Sequence, residues 1–154
     1  MNLRRIENKG TLCALVNCEN TVITDTQSAL DLLMSAKYDI GTKNIVISKQ
    51  LITEDFFVLS TGLAGEILQK FVNYGGRIAI YGGYSHYTSK PLRDFIYESN
   101  NGKDVFFVSS LEEAVEKLAK WLQIKTTKKA LSYELLPIAK GFLIWIYFVI
   151  QDQR

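Results

Sequence analysis

A single histidine, His86, and two cysteines, Cys13 and Cys18, are all that this 154-residue sequence offers to imidazole, thiol and soft-metal chemistry. Two thiols separated by four residues, with no second pair, cannot complete a tetrahedral zinc site and give no sign of a disulfide framework, so both read as small hydrophobes and no metal or cofactor is expected. Charge of one sign is lacking too. Eighteen basic residues stand against sixteen acidic ones, a net +2, which is far from the basic excess that binding a phosphate backbone demands, so nucleic acid is not an implied partner. The opening Met1-Asn2-Leu3-Arg4-Arg5 turns polar without the apolar stretch of a secretory signal, and a cytoplasmic protein is expected. No internal repeat and no low-complexity segment breaks the chain.

What is present is enough apolar sequence for one core. Hydrophobic residues make up 47% of the chain and charged residues 22%, inside the range of globular domains, and the length allows one domain with an appendage. Residues 1–123 read as one α/β domain and residues 124–154 as a basic linker with an apolar tail.

Two short runs, residues 3–6 and 11–16, flank Glu7-Asn8-Lys9-Gly10, a turn suited to a hairpin. Thr24 or Asp25 can cap a helix carrying Ala29, Leu30, Leu33 and Ala36, which Gly41 stops. Ile45-Val46-Ile47 is a β-branched run, the pattern of a strand buried on both faces, so helices should cover both sides of the sheet. From a cap at Thr53, the spacing predicts a helical segment through Phe56 and Phe57 to Leu63, Ala64, Ile67, Leu68, Phe71 and Val72, closed by Gly75-Gly76. Ile78-Ala79-Ile80-Tyr81 is the next strand. Ser89 and Pro91 open a helix bearing Leu92, Phe95 and Ile96, which Asn100-Asn101-Gly102 ends. A last strand at residues 105–108 leads to Ser110 and Glu113, an S-x-x-E capping box ahead of Leu111, Ala114, Val115, Leu118 and Leu122. The order is β-β-α-β-α-β-α-β-α. Right-handed crossovers then give a mixed, mostly parallel sheet of about five strands with about four helices.

That order resembles the STAS fold of anti-sigma-factor antagonists, and three stretches carry the likeness. Ser60-Thr61-Gly62-Leu63-Ala64-Gly65 is similar to the family's Asp-Ser-Ser-Gly-Leu-Gly signature, with Leu59 where the signature has its leading acid. Residues 73–82 and 104–118 resemble the turn, strand and terminal helix that follow. A closer resemblance is to a bacterial family, domain of unknown function 4180, through Thr61-Gly62-Leu63-Ala64-Gly65-Glu66-Ile67-Leu68-Gln69-Lys70-Phe71 and Ser89-Lys90-Pro91-Leu92-Arg93-Asp94-Phe95-Ile96-Tyr97-Glu98-Ser99-Asn100. That family often carries an acid where this chain has Gly83, and the resemblance supplies no activity. The STAS likeness implies a regulatory or scaffold module that docks a protein partner, with a hydroxyl at Thr61 that a kinase would phosphorylate.

The residues leave two readings open at Ser60 and Thr61. A phosphate at a helix's first turn meets unsatisfied N–H groups and the positive end of the dipole, so the position suits a switch; a hydroxyl pair before an apolar helix is also a plain N-cap. The polar loop of Gly82, Gly83, Tyr84, Ser85, His86, Tyr87, Thr88, Ser89 and Lys90, with Arg93 beyond it, should lie at the carboxyl end of a central strand, where α/β sheets bind ligands. It offers an anion or partner site, although its spacing fits neither the P-loop nor the dinucleotide fingerprint; an exposed loop whose aromatics dock on the domain accounts for the same letters. No acidic residue is placed by sequence to orient His86, so no catalytic residues are assigned and a module without catalysis is the leading expectation, with a small-molecule or anion binder, or an enzyme, using the Gly82 to Lys90 loop as the alternative.

The tail is apolar without interruption over residues 141–150, from Gly141 to Ile150. Ten residues fall short of the roughly twenty that a hydrocarbon core requires. Extension back to Ala130 includes Glu134, Pro137 and Lys140, each disruptive in a bilayer. Lys125, Lys128 and Lys129 flank the segment as they would a cytoplasmic anchor. Peripheral membrane association, packing on the domain or a second subunit, and an atypical terminus all stay open.

Overall fold

The computed structural model describes residues 1–128, with side chains as far as Ala119. Five strands, β1 (Asn2–Asn8), β2 (Thr11–Asn17), β3 (Asn44–Ser48), β4 (Arg77–Tyr81) and β5 (Val105–Val108), form one mixed sheet in the sequential order β1-β2-β3-β4-β5. Only β1 with β2 is antiparallel. Four helices, α1 (Thr26–Ser35), α2 (Leu63–Asn73), α3 (Lys90–Asn101) and α4 (Leu111–Lys128), complete the α/β architecture that the apolar periodicity predicts.

The sequential order decides which face each helix covers. Three crossovers of one hand, each stepping one strand in the same direction, must all lie on one side of the sheet. One apolar cluster accordingly joins Leu32 and Leu33 of α1, Ile67, Leu68 and Phe71 of α2, and Leu92 and Phe95 of α3 to Ala14, Ile45, Ile47, Ile78, Ile80 and Phe107. The alternate strand residues Cys13, Leu15, Val46, Ala79, Phe106 and Val108 face the other way, onto Ala114, Val115 and Leu118 of α4. Strands covered on both faces need apolar residues at every position, which is why β3 and β4 read as unbroken apolar runs. Burying Ile67, Leu68 and Phe71 stabilises the fold by about 1.5–3 kcal/mol each. The half-buried Arg77 guanidinium ties β4 to α4, donating from Nη1 to the Leu118 carbonyl at 3.1 Å, and to the turn before β5, donating from Nε to the Lys103 carbonyl at 2.9 Å.

Local signals held in several places and moved in others. Asp25 caps α1, accepting the Ser28 N–H at 2.7 Å, while a π-helical turn, Ala36–Ile40, carries the chain on to Gly41 in the left-handed region. The segment from Thr53 is not one helix. It folds as short 3-10 turns, Glu54–Phe57 and Leu59–Thr61, before α2 begins behind Gly62. Phe56 and Phe57 are both buried from the first of these turns, and Gly62, in the left-handed region, separates the second turn from α2. At α4, Ser110 Oγ accepts the Glu113 N–H at 3.2 Å, but the Glu113 carboxylate takes the N–H and hydroxyl of Ser109 instead of closing the box on Ser110. The α4 backbone stays helical through Lys128, across residues 124–128 that the sequence suggested as a linker. Residues 141–150 lie outside the described residues, and no described helix is long and apolar enough to cross a membrane.

Candidate functional site

The carboxyl ends of β3 and β4 release two loops on the same edge, residues 49–62 and 82–89, and they pack against each other through aromatic rings. Phe57 lies 5.5 Å from Tyr87, nearly stacked, and 6.2 Å from Tyr84, while Tyr84 meets Phe107 edge-on at 5.8 Å. The Tyr84 hydroxyl donates to the Ile80 carbonyl at 2.9 Å, and burial pushes its acidity far out of the ordinary range. This ring is therefore a structural plug that fixes the start of the second loop.

Lys49 sits between the two loops, only 9% exposed. Its Nζ is 3.1 Å from Glu54 Oε1 and 4.9 Å from the centres of the Phe57 and Tyr87 rings, and the Tyr87 hydroxyl donates to Glu54 Oε2 at 3.1 Å. A cation this far out of water needs such partners: two ring faces and a carboxylate replace its hydration. Burial alone would lower the Lys49 ammonium, but Tyr87 and Glu54 outweigh it and hold it above its ordinary value. The hydrogen bond from Lys49 holds the Glu54 carboxyl below its ordinary range. Both shifts keep the pair charged through neutral pH, the reverse of what a general acid or base working there requires. Gly82 makes the arrangement possible, because a β-carbon at this position would stand 2.8 Å from Lys49 Cβ, at a φ of +155° that suits glycine.

Of the residues expected to form a switch, Ser60 and Thr61 are both exposed, whereas Gly62 is buried and takes φ +76° as the N-cap of α2. Thr61 is not that cap. Its Oγ1 lies 2.8 Å from the carbonyls of both Asp55 and Val58 and accepts the Leu63 N–H at 3.2 Å, pinning the two 3-10 turns to the helix start. Among the described residues Ser60 makes no side-chain hydrogen bond, so its hydroxyl is the free one of the pair. Beside it Val58 is 49% exposed.

The loop residues divide in the same way. Gly83, Ser85, His86, Ser89 and Lys90 are exposed; Gly82 and Tyr87 are half-buried. His86 rests against the Tyr87 ring at 4.1 Å. Ser89 caps α3 by accepting the Leu92 N–H at 3.4 Å, Lys90 pairs with Asp94 at 2.6 Å one turn on, and Arg93 points from the same exposed stretch. Lys49, Glu54 and Phe57 were not singled out by sequence. Lys49 follows directly on a buried strand, a context in which a lysine invites a search for a partner, but nothing in the spacing identifies which one.

A neighbouring cleft of about 500 Å³ opens over the ends of β2, β3 and β4, lined by Val16, Asn17, Cys18, Glu19, Ser48, Gln50, Leu51 and Tyr81. The loop from Gly82 onward does not line it. Cys18 is a free thiol here, and the Asn20 backbone N–H lowers it below its ordinary value. Cys13 is buried under α4, where burial pushes its thiol up to about 11.

A family model described as "Domain of unknown function (DUF4180)" matches residues 8–118. The chain belongs to the DUF4180 family. The match runs from the end of β1 into α4, so both loops of the carboxyl edge lie inside the DUF4180 domain. No curated protein and no solved structure matches the chain.

Proposed function

We propose that this DUF4180 domain is a bacterial, cytoplasmic, STAS-like regulatory module that works without catalysis, by docking a protein partner on the carboxyl edge at the start of α2. The observation that carries the reading is the exposed patch of Val58, Ser60 and Thr61 on the 3-10 turns that lead from the loop after β3 into the amphipathic helix α2. An apolar side chain beside an uncommitted hydroxyl on a braced turn is a surface that a partner can read and that a phosphate would spoil. Ser60 is the better switch of the two hydroxyls, because phosphorylating Thr61 would break the bonds that hold the turn. The charged pair Lys49–Glu54 supports the same reading as a brace for the loops.

The test is affinity purification of the full chain from its producing cell alongside Val58→Asp and Ser60→Glu. The reading expects a protein that accompanies the wild type in stoichiometric amount and is lost with both variants, whose circular dichroism is unchanged. An identical set of companions for all three chains refutes it. The cleft over β2, β3 and β4 favours a second reading, a site for a small polar molecule held by Asn17, Ser48, Gln50 and Tyr81. A thermal-shift screen with small metabolites tests this, expecting a hit that Ser48→Trp abolishes; no hit, or a hit indifferent to that change, rejects it.

A further inference from the structure

The two edges of the sheet are finished differently. At β5 the side-chain amide of Asn100 stands in for a missing strand: its Nδ2 donates to the Phe107 carbonyl at 3.0 Å and its Oδ1 accepts the Phe107 N–H at 2.7 Å. The opposite edge, β1, has no such cover among the described residues. It is seven residues long, without proline, and every residue is in register with β2.

The peptide groups that β1 leaves outward follow from its turn. Lys9 and Gly10 have φ of +49° and +77°, a two-residue turn of the primed kind, which closes on a hydrogen-bonded pair, Asn8 with Thr11. Bonded and non-bonded pairs alternate in an antiparallel ladder, so Asn2, Arg4, Ile6 and Asn8 bond to β2, and Leu3, Arg5 and Glu7 turn their N–H and C=O away from it. The partner strand agrees with this parity. Leu12, opposite Glu7, turns its carbonyl away from β1 to accept from Thr42 at 2.8 Å and Asn44 at 3.0 Å.

We infer that β1 is a homodimer edge, pairing antiparallel with β1 of a second copy in the register that sets Arg5 against the partner's Glu7. Outward residues must face outward residues, which leaves five two-fold registers, of which the one centred on Leu3 makes a single bonded pair and overlaps the strands only over Asn2, Leu3 and Arg4. Centring on Arg4, Arg5 or Glu7 sets that charged residue directly against its own copy, a destabilising contact. Centring on Ile6 sets Arg5 against Glu7 twice, sets Ile6 against Ile6 on the α4 face, and sets Arg4 against Asn8. A register centred on Arg5 would form one more bonded pair, but at the cost of the like-charge contact. Within one chain Arg5 and Glu7 already lean together at 3.8 Å, both more than half exposed, so the two copies would assemble a four-charge cluster across the axis. Charged side chains usually protect an edge strand from pairing; here the pattern of charges is self-complementary, as a closed two-fold contact requires. This surface is independent of the one proposed at Ser60.

Sedimentation velocity of the full chain over a wide concentration range, at low salt, tests the inference through charge exchange. The wild type is expected to approach twice the 17.5 kDa chain mass as concentration rises. Arg5→Glu and Glu7→Arg, each of which puts like charges together, should each weaken association at least about tenfold, and the double exchange carrying both changes should restore it. A wild type that stays monomeric at every concentration overturns the proposal. So does a dimer indifferent to both single reversals, which would place the contact elsewhere, as in residues 141–150, and so does a double exchange that fails to recover.

Discussion

Replacing Asn100 by alanine removes the stand-in for a sixth strand, and the structure allows the loss to be worked out. Two hydrogen bonds disappear, of 3.0 Å and 2.7 Å, and they leave both the N–H and the C=O of Phe107 without a partner. Each bond contributes about 0.5–1.5 kcal/mol net, and a stranded buried group costs about 1–3 kcal/mol. Asn100 is half-buried, so water can reach the vacated groups in part, which holds the sum near the lower end at about 2–3 kcal/mol. Alanine is a better helix former than asparagine by roughly 0.5 kcal/mol in the last turn of α3, and that offsets part of the loss. The expected net destabilisation is about 2 kcal/mol, which with a urea slope of about 2 kcal/mol per molar lowers the unfolding midpoint by about 1 M. Circular dichroism in urea measures the midpoint, and amide hydrogen exchange reads the Phe107 N–H directly. The variant should exchange that proton faster than the wild type by more than the global change explains, and it should aggregate sooner because β5 is opened as an edge. An unchanged midpoint together with unchanged Phe107 exchange would refute the reasoning.

Three further outcomes follow from the carboxyl edge and the core. Gly82→Ala should cost about 1–3 kcal/mol, since its β-carbon meets Lys49 Cβ at 2.8 Å and its φ is unfavourable for alanine; a melting temperature equal to wild type contradicts this. Thr61→Ala should destabilise by about 1–2 kcal/mol while Ser60→Ala stays within about 0.5 kcal/mol, because only Thr61 pins the turn; equal effects in urea unfolding would be contrary. Glu54, whose carboxyl Lys49 holds below its ordinary value, contributes stability that is complete above the unfolded carboxylate range and drains as pH falls through the lower folded value. Glu54→Gln should therefore flatten the acid limb of the stability curve, by under about 1 kcal/mol because Glu54 is 72% exposed, and the effect should shrink in salt. An acid limb as steep in the variant as in the wild type would count against the pair.

How much was legible in the sequence depended on how local each signal was. Ile45-Val46-Ile47 and Ile78-Ala79-Ile80 declared two-sided burial because no polar residue can interrupt a strand covered by helices on both faces. Ser89 and Pro91 marked the start of α3 through chemistry confined to one turn. The stretch from Thr53 to Thr61 misled because Phe56, Phe57, Leu63 and Ile67 approximate helical spacing, while the core is in fact reached by successive rings on 3-10 turns, which leave no periodicity. Lys49 with Glu54, Tyr87 and Phe57 was invisible because the group spans 38 positions of sequence, from 49 to 87, and only the packing of two loops brings it together. Asn100 was legible only as a helix ending. Its second role exists because β5 is the last strand of the sheet, and that is a property of the topology.

The docking surface at the start of α2 is tested most directly by a photo-crosslinking side chain placed at position 60 of the full chain in its producing cell, with the same group at position 38 for comparison. Tyr38 is 77% exposed and lies on the turn that precedes β3, at the opposite end of the strands. A discrete protein adduct from position 60 that is absent from position 38 is the predicted result; no adduct from position 60, or the same adducts from both, would contradict it.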